Sequence, residues 1–501
     1  MEVKLSSVKM TTTENGSLAL PNTGDKVLDL FSNITRDASP DQVVNAVESA
    51  WDESPLYTMK CMFAKRDIRG EGGQGERSIF ITFYRWLFNK NHQVAEMNLK
   101  NISEYGYWKD LINISTGFDG DEKILQAVYK TFASQLKQDL IDMKAGKPIS
   151  LAAKWLPSVN SKKSRKDMMA PRLSRAMGFN TNKPSEFLRK NVITPLRKYI
   201  QVVERYMCKK NWDCIVYSKV PGIAMKKYRN VFIRRDSERF NKYLHDVKEG
   251  LVKINTQTLS PVDLVSAMKG YKMDKVIEAQ WVDIIRKGLE FMDNDYKFMG
   301  TSTILPVCDV SGSMYGTPMS ASIGLGSYIS KINRGFFKDI VLTFSDKPKI
   351  INLEGIEELH KIVNEFSKSD NVGYNTDLIK TFKLILNMAL KYNIPPHQMP
   401  DKLLLISDME FDVATKHTNQ LTNLEKIKQL YKKSGHEIPQ IIFWNVRSTN
   451  TVPCRCDENG VVYISGYSKN IVSMLMRYEC MNPLSLMYRI LDSSRYDLIK
   501  V

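Results

Sequence analysis

In the stretch I-L-P-V-C-D-V-S-G-S-M, residues 304–314, Asp309, Ser311 and Ser313 stand at alternate positions directly after an apolar run. One carboxylate and two hydroxyls in that spacing offer hard oxygen donors with little charge, the ligand type that suits Mg²⁺ and leaves room for water. The same residues could equally cap the next helix, because short hydroxyl and carboxylate side chains accept from the free amides of a helix start. Two later segments carry matching oxygens. Gly373-Tyr374-Asn375-Thr376-Asp377 precedes a helical pattern, and the apolar run Leu403–Ile406 ends at Ser407-Asp408, with Glu410 as a rival to Asp408. Brought together, Asp309, Ser311, Ser313, Thr376 and Asp408 would form a hydroxyl-dominated centre for Mg²⁺ or another divalent cation, with a position open to a partner's carboxylate.

A second chemistry is written in charge. Between Lys147 and Lys248 there are 25 Lys and Arg against seven Asp and Glu, an excess of 18 in a chain whose formal net charge is +17. Such a localised basic field is the footprint of a phosphate-backbone binder, with RNA the expected partner. Lys162, Lys163, Arg165, Lys166, Arg172, Arg175, Lys226, Lys227, Arg234 and Arg235 are the candidate contacts. The segment also carries aromatics, among them Trp155, Tyr199, Phe232 and Phe240, which either stack on bases or simply build a helical core.

Enzymatic readings lack their parts. A two-metal nuclease needs several carboxylates around a metal pair, and neither serine of the 309–313 stretch has a recognisable histidine partner. Gly70 to Gly75 has the spacing of a phosphate loop, but Glu76 and Arg77 stand where Lys and Ser or Thr belong. A non-enzymatic protein is therefore expected.

A chain of 501 residues exceeds one compact core, and several domains are expected. Residues 1–25 read as a disordered polar tail. Residues 26–299 read as helical, with Ser39-Pro40 a strong helix start and helices over Ser78–Phe88, Glu122–Leu140 and Glu186–Met207. After residue 300 apolar strands alternate with helices: Ile304–Cys308, Ile340–Phe344, Lys402–Ile406, Pro439–Val446 and Val461–Ser465. That alternation predicts a mostly parallel sheet with helices on both faces over 300–501. Seven scattered cysteines without a C-x-x-C pair argue against disulfides and zinc. With neither a membrane-length apolar run nor a signal-peptide core, an intracellular, cytoplasmic chain is expected, the nucleus or a virus particle being compatible alternatives.

D-V-S-G-S-M with Thr376 and Asp408 resembles the metal-ion-dependent adhesion site of von Willebrand factor A domains, and the resemblance implies that those five residues surround a divalent cation. Lys65-Arg66-Asp67-Ile68-Arg69-Gly70-Glu71-Gly72-Gly73-Gln74-Gly75-Glu76-Arg77 is similar to the signature of TROVE modules, which form rings of helical repeats. The two modules together occur in the Ro ribonucleoprotein autoantigen, which implies binding of RNA ends and small structured RNAs. Ala153-Lys154-Trp155-Leu156-Pro157, Val202-Val203-Glu204, Met207-Cys208 and Ser465-Gly466-Tyr467-Ser468 resemble domain-of-unknown-function family 2828 from about residue 30 onward.

Overall fold

Local sequence sets the first helices. Ser39 accepts from Gln42 N at 3.2 Å while Gln42 Oε1 accepts from Ser39 N at 2.9 Å, starting helix Pro40–Glu53 with proline in its first turn. Ser54 caps the next helix, Pro55–Arg66, by accepting from Tyr57 N at 3.4 Å, and Asp25 caps Lys26–Asn33 by accepting from Leu28 N at 2.7 Å. The computed structural model describes residues 10–13, 18–116, 122–268, 270, 272–299, 302–344, 347–368, 378–410, 427, 429–477 and 482–501. Every regular element described between residues 26 and 299 is helical. No described helix is long and apolar enough to cross a membrane, and the described cysteines are free.

The expected helices over 78–88 and 122–140 run as Ser78–Lys90 and Glu122–Lys144. The expected helix Glu186–Met207 is broken. It runs as Pro184–Leu188, a π-helical turn Arg189–Ile193, Thr194–Tyr199 and, after an interruption, Val203–Lys209. Pro195 has no N–H to give, so the chain widens a turn before it, and Gln201 at φ 52° reverses the helical sense.

Six strands form one sheet after residue 300: β1 (Ile304–Asp309), β2 (Ile340–Phe344), β3 (Ile350–Asn352), β4 (Lys402–Ser407), β5 (Gln440–Asn445) and β6 (Val461–Ser465). Their spatial order is β3-β2-β1-β4-β5-β6, with β3 antiparallel to β2 and every other pair parallel. Both central strands, β1 and β4, are buried throughout, which explains their unbroken apolar runs. Side chains alternate between faces along a strand. Leu305, Val307, Leu403 and Leu405 pack with Phe382, Ile385 and Ala389 of helix Leu378–Lys391. Cys308 and Ile406 point to the other face, against helix Thr317–Ile332. There a Cβ on Gly326 would lie 2.1 Å from Cys308 Sγ. Helices therefore cover both faces. Strands are added to one side of β1 and then to the other, so the winding order switches between β1 and β4, and the carboxyl ends at such a switch point are where open α/β sheets hold ligands.

Two compact units divide the molecule. One joins the chain up to Ile79 with Ser218–Tyr496; the other joins Phe80–Tyr217 with Asp497–Val501. The expected boundary at 299/300 is not where compactness changes, because helices such as Lys26–Asn33 and Lys275–Met299 belong with the sheet. Ser32 Oγ donates to Tyr463 O at 2.9 Å, for example. The expected polar tail also needs correction over 18–25. Leu20 pairs its backbone with Val452 (2.9 and 3.2 Å), and Thr23 donates through N and Oγ1 to Asp29. In the second unit, Asn98 and Asn101 donate to the carbonyls of Lys500 and Leu498, holding the last residues in place.

The glycine loop is a buried joint. Asp67 accepts from the amides of Arg69 and Gly70, pairs with Arg495 and takes a hydrogen bond from Tyr496 Oη. A Cβ on Gly70 would fall 2.2 Å from Arg495 Nε, and one on Gly73 2.5 Å from Asp67 O. Fully buried Lys65 donates to Phe31 O, Ile34 O, Gln74 Oε1 and Ser465 Oγ, at 2.8–3.3 Å, and burial pulls its amine down to about 8. Tyr467 N donates to Gln74 O at 3.3 Å. These glycines permit close packing between the N-terminal helices and the far edge of the sheet.

Candidate functional site

The parallel pairing of β1 with β4 sets Cys308 opposite Ile406, so Asp309 and Ser407 end adjacent strands side by side. Asp309 is fully buried. Its Oδ1 accepts from Ser311 N at 2.9 Å and its Oδ2 from Ser407 Oγ at 2.8 Å. Burial and the neighbouring Asp408 carboxylate push the Asp309 carboxyl up to about 6, against the pull of the Ser311 and Ser407 hydrogen bonds. Ser311 Oγ and Ser313 Oγ lie 3.0 Å apart.

The hydroxyls do not cap. Helix Thr317–Ile332 begins after Gly316 without a side-chain cap, and Ser311 makes no side-chain cap to the short turn Gly312–Met314. Of the two readings of this triplet, the capping one is thereby removed. Asp408 is 1% exposed; its Oδ1 accepts from Glu410 N, while its Oδ2 is buried with no hydrogen-bond partner among the described residues. Leaving a buried carboxylate oxygen unsatisfied is costly, and a cation is the usual remedy. Asp309, Ser311, Ser313 and Asp408 thus lie together at the strand ends, and their hard oxygens, one of them buried without a hydrogen bond, are the donor type that fits a small divalent ion. Thr376 lies outside the described residues. Among those residues no three His, Cys, Asp or Glu side chains form a group that could hold a metal ion.

Three neighbours were not singled out by the sequence. Ser407 bridges the two strand ends through Asp309. Arg447, two residues beyond β5, places Nη1 3.5 Å from Ser313 O and 3.9 Å from Asp408 Oδ2. Its Nε lies 3.8 Å from Asp37 Oδ2. The signal available for Arg447 was its position just past a strand beside β4, but strand order is not written in one sequence.

Residues 13–125 and 118–290 match the family model described as Domain of unknown function (DUF2828), more than half of the chain. The chain belongs to the DUF2828 family. Residues 303–486 match a second model, Domain of unknown function (DUF7788), which spans all six strands and the four described site residues. An "Uncharacterized protein L728" from Acanthamoeba polyphaga mimivirus is 29% identical over 514 residues, covering 96% of this chain and 87% of that one.

The DUF2828 match contains the whole basic segment, which the compact units divide. Residues 147–217 carry sixteen basic and four acidic side chains in one unit, and 218–248 carry nine and three in the other. In the first group Lys162, Arg165, Lys166 and Arg175 are exposed on helices Lys162–Lys166 and Met169–Ala176. Lys163 pairs with Asp167 at 3.0 Å, Arg172 forks onto Glu122, and exposed Arg165 donates to Asn160 O at 2.7 and 3.1 Å. In the second group Lys227, Arg234 and Arg235 are exposed on helix Gly222–Arg235, whereas Lys226 donates to Asp263 O at 3.0 Å. Of the aromatics, Phe232, Phe240, Tyr217 and Tyr243 are buried and serve the core, while Tyr199 is exposed. Trp155 is half-buried, with the amines of Lys109 and Lys154 5.8 and 5.6 Å from its ring centroid.

Proposed function

We propose that this DUF2828 protein is a non-enzymatic, intracellular ribonucleoprotein component. Its sheet carries a von Willebrand A-type adhesion site, its helical part is TROVE-like, and the exposed cations of 162–175 grip RNA phosphates. The observation that carries the metal half is Asp408 Oδ2, buried without a hydrogen bond and with only Arg447 at 3.9 Å, beside a fully buried Asp309 and two hydroxyls that cap nothing. Asp309, Ser311, Ser313 and Asp408 would hold the ion, with Thr376 as a fifth donor. A bound Mg²⁺ supplies a Lewis-acidic position for one oxygen of a partner. The chain's own groups fix the donors: Ser407 orients the Asp309 carboxylate, and Ser311 N holds its other oxygen.

The RNA half rests on charge. Neutralised phosphates release counterions, so affinity falls with salt, by about 0.7 in log–log slope for each contact to a single strand. Charge reversal of Lys162, Arg165, Lys166 and Arg175 to Glu is expected to weaken filter-bound single-stranded RNA uniformly across sequences and to flatten that slope. An unchanged slope rejects RNA binding. A second reading, a metal-dependent protein-interaction scaffold without RNA, draws support from the division of the basic segment between two units and from the pairing of Lys163 and Arg172. Loss of protein partners on Asp309→Ala, with no RNA retained by the wild type, selects it.

A further inference from the structure

Arg447 reaches the candidate cation site only through long contacts. Its guanidinium spans two carboxylates, 3.9 Å from Asp408 Oδ2 and 3.8 Å from Asp37 Oδ2, and its contact to Ser313 O is a long 3.5 Å. Arginine normally forks two short bonds onto one carboxylate, and here neither carboxylate receives them. The backbone beneath is fixed: Arg447 N donates to Asn445 Oδ1 at 3.0 Å and Val446 N to Ser407 O at 3.1 Å. Asp37 is equally fixed, accepting from Ser448 N at 3.0 and 3.2 Å. A half-exposed side chain on a rigid base therefore has two anionic partners within reach, one buried in the site and one outside it.

A divalent ion among Asp309, Ser311, Ser313 and Asp408 would repel a guanidinium that close and satisfy the oxygen it faces. We propose that Arg447 is a tethered competitor for the cation site: it neutralises Asp408 until an ion enters, and ion entry hands its guanidinium to Asp37. This rests on the cation-site reading above and adds what sets the affinity of that site. Competition of this kind is reciprocal, so whatever holds Arg447 outward strengthens ion binding by the same factor.

Calorimetric titration of the metal-stripped full chain with MgCl₂ tests it. Arg447→Gln is expected to bind Mg²⁺ about tenfold more tightly than wild type, because a repelling unit charge near 4 Å is gone. Arg447→Lys, which keeps the charge, is expected to stay within about threefold of wild type. Asp37→Asn removes the outer partner and is expected to weaken binding, the opposite sign, which gives an independent readout if one variant folds poorly. Unchanged or weaker binding by Arg447→Gln, with wild-type binding intact, overturns the competitor role and leaves the cation site standing. Absence of binding by wild type and all variants overturns the cation site itself and the competitor with it.

Discussion

Asp309 carries the sharpest consequences of any single side chain. Its folded-state pKa of about 6 lies above the ordinary carboxylate value, so the metal-free folded chain holds an extra proton between about pH 4 and 6. Stability contributed by that proton is present at low pH and lost as pH rises through 6, whereas a bound cation reverses the preference. Two outcomes are expected. Mg²⁺ affinity falls as pH drops below about 6, measured by calorimetry between pH 5 and 8. Asp309→Asn abolishes that binding yet raises the metal-free unfolding free energy at pH 7, measured in urea, by up to about 2 kcal/mol. Lys65 is the opposite case: its four acceptors are buried, and Lys65→Met is expected to cost about 2 kcal/mol in urea unfolding, chiefly by taking the donor from Ile34 O, since Phe31 O and Gln74 Oε1 keep other donors. Asp309, Ser311, Ser313 and Asp408 were legible because apolar runs that stop at a carboxylate mark strand ends. Arg447 and Asp37 were not, since their meeting depends on β5 lying next to β4 and on the N-terminal helices folding against the sheet.

At the scale of elements, periodicity placed β2 and β6 at the residues where they occur, and β1, β4 and β5 within a residue or so. The three-residue edge strand β3 escaped because Ile350-Ile351-Asn352 is too short to show alternation. The Glu186–Met207 pattern was apolar at helical spacing throughout, yet Pro195 and the left-handed Gln201 overrode it. Close approach between helix and strand is also invisible in one sequence. Gly326→Ala is expected to destabilise by about 2 kcal/mol through the overlap with Cys308 Sγ. Adding Cys308→Ala should recover most of that loss, and a double-mutant cycle by thermal unfolding measures the coupling. Full additivity would deny that the two residues share the contact.

For the whole molecule, the family matches change over between residues 290 and 303, close to the expected sequence boundary, whereas the compact units do not. Composition follows the chain; compactness follows side-chain contacts that join distant stretches. The last five residues show this, since Ile499 is buried and the carbonyls of Leu498 and Lys500 are held by Asn101 and Asn98. Removing 497–501 is expected to speed amide exchange over 92–105 by about tenfold, with the sheet strands unchanged. Equal exchange in both regions would mean that the tail stabilises nothing.

The bonds from Lys65 to Ser465 and from Ser32 to Tyr463 also impose an order of events on the ribosome. The first helices emerge some four hundred residues before the strand they lean on, and must wait exposed while everything between is synthesised. Residues 80–217 need no such delay apart from their short closing tail. Nascent chains of this protein should therefore present early helical surfaces to chaperones, and maturation should finish only when the final strand leaves the exit tunnel.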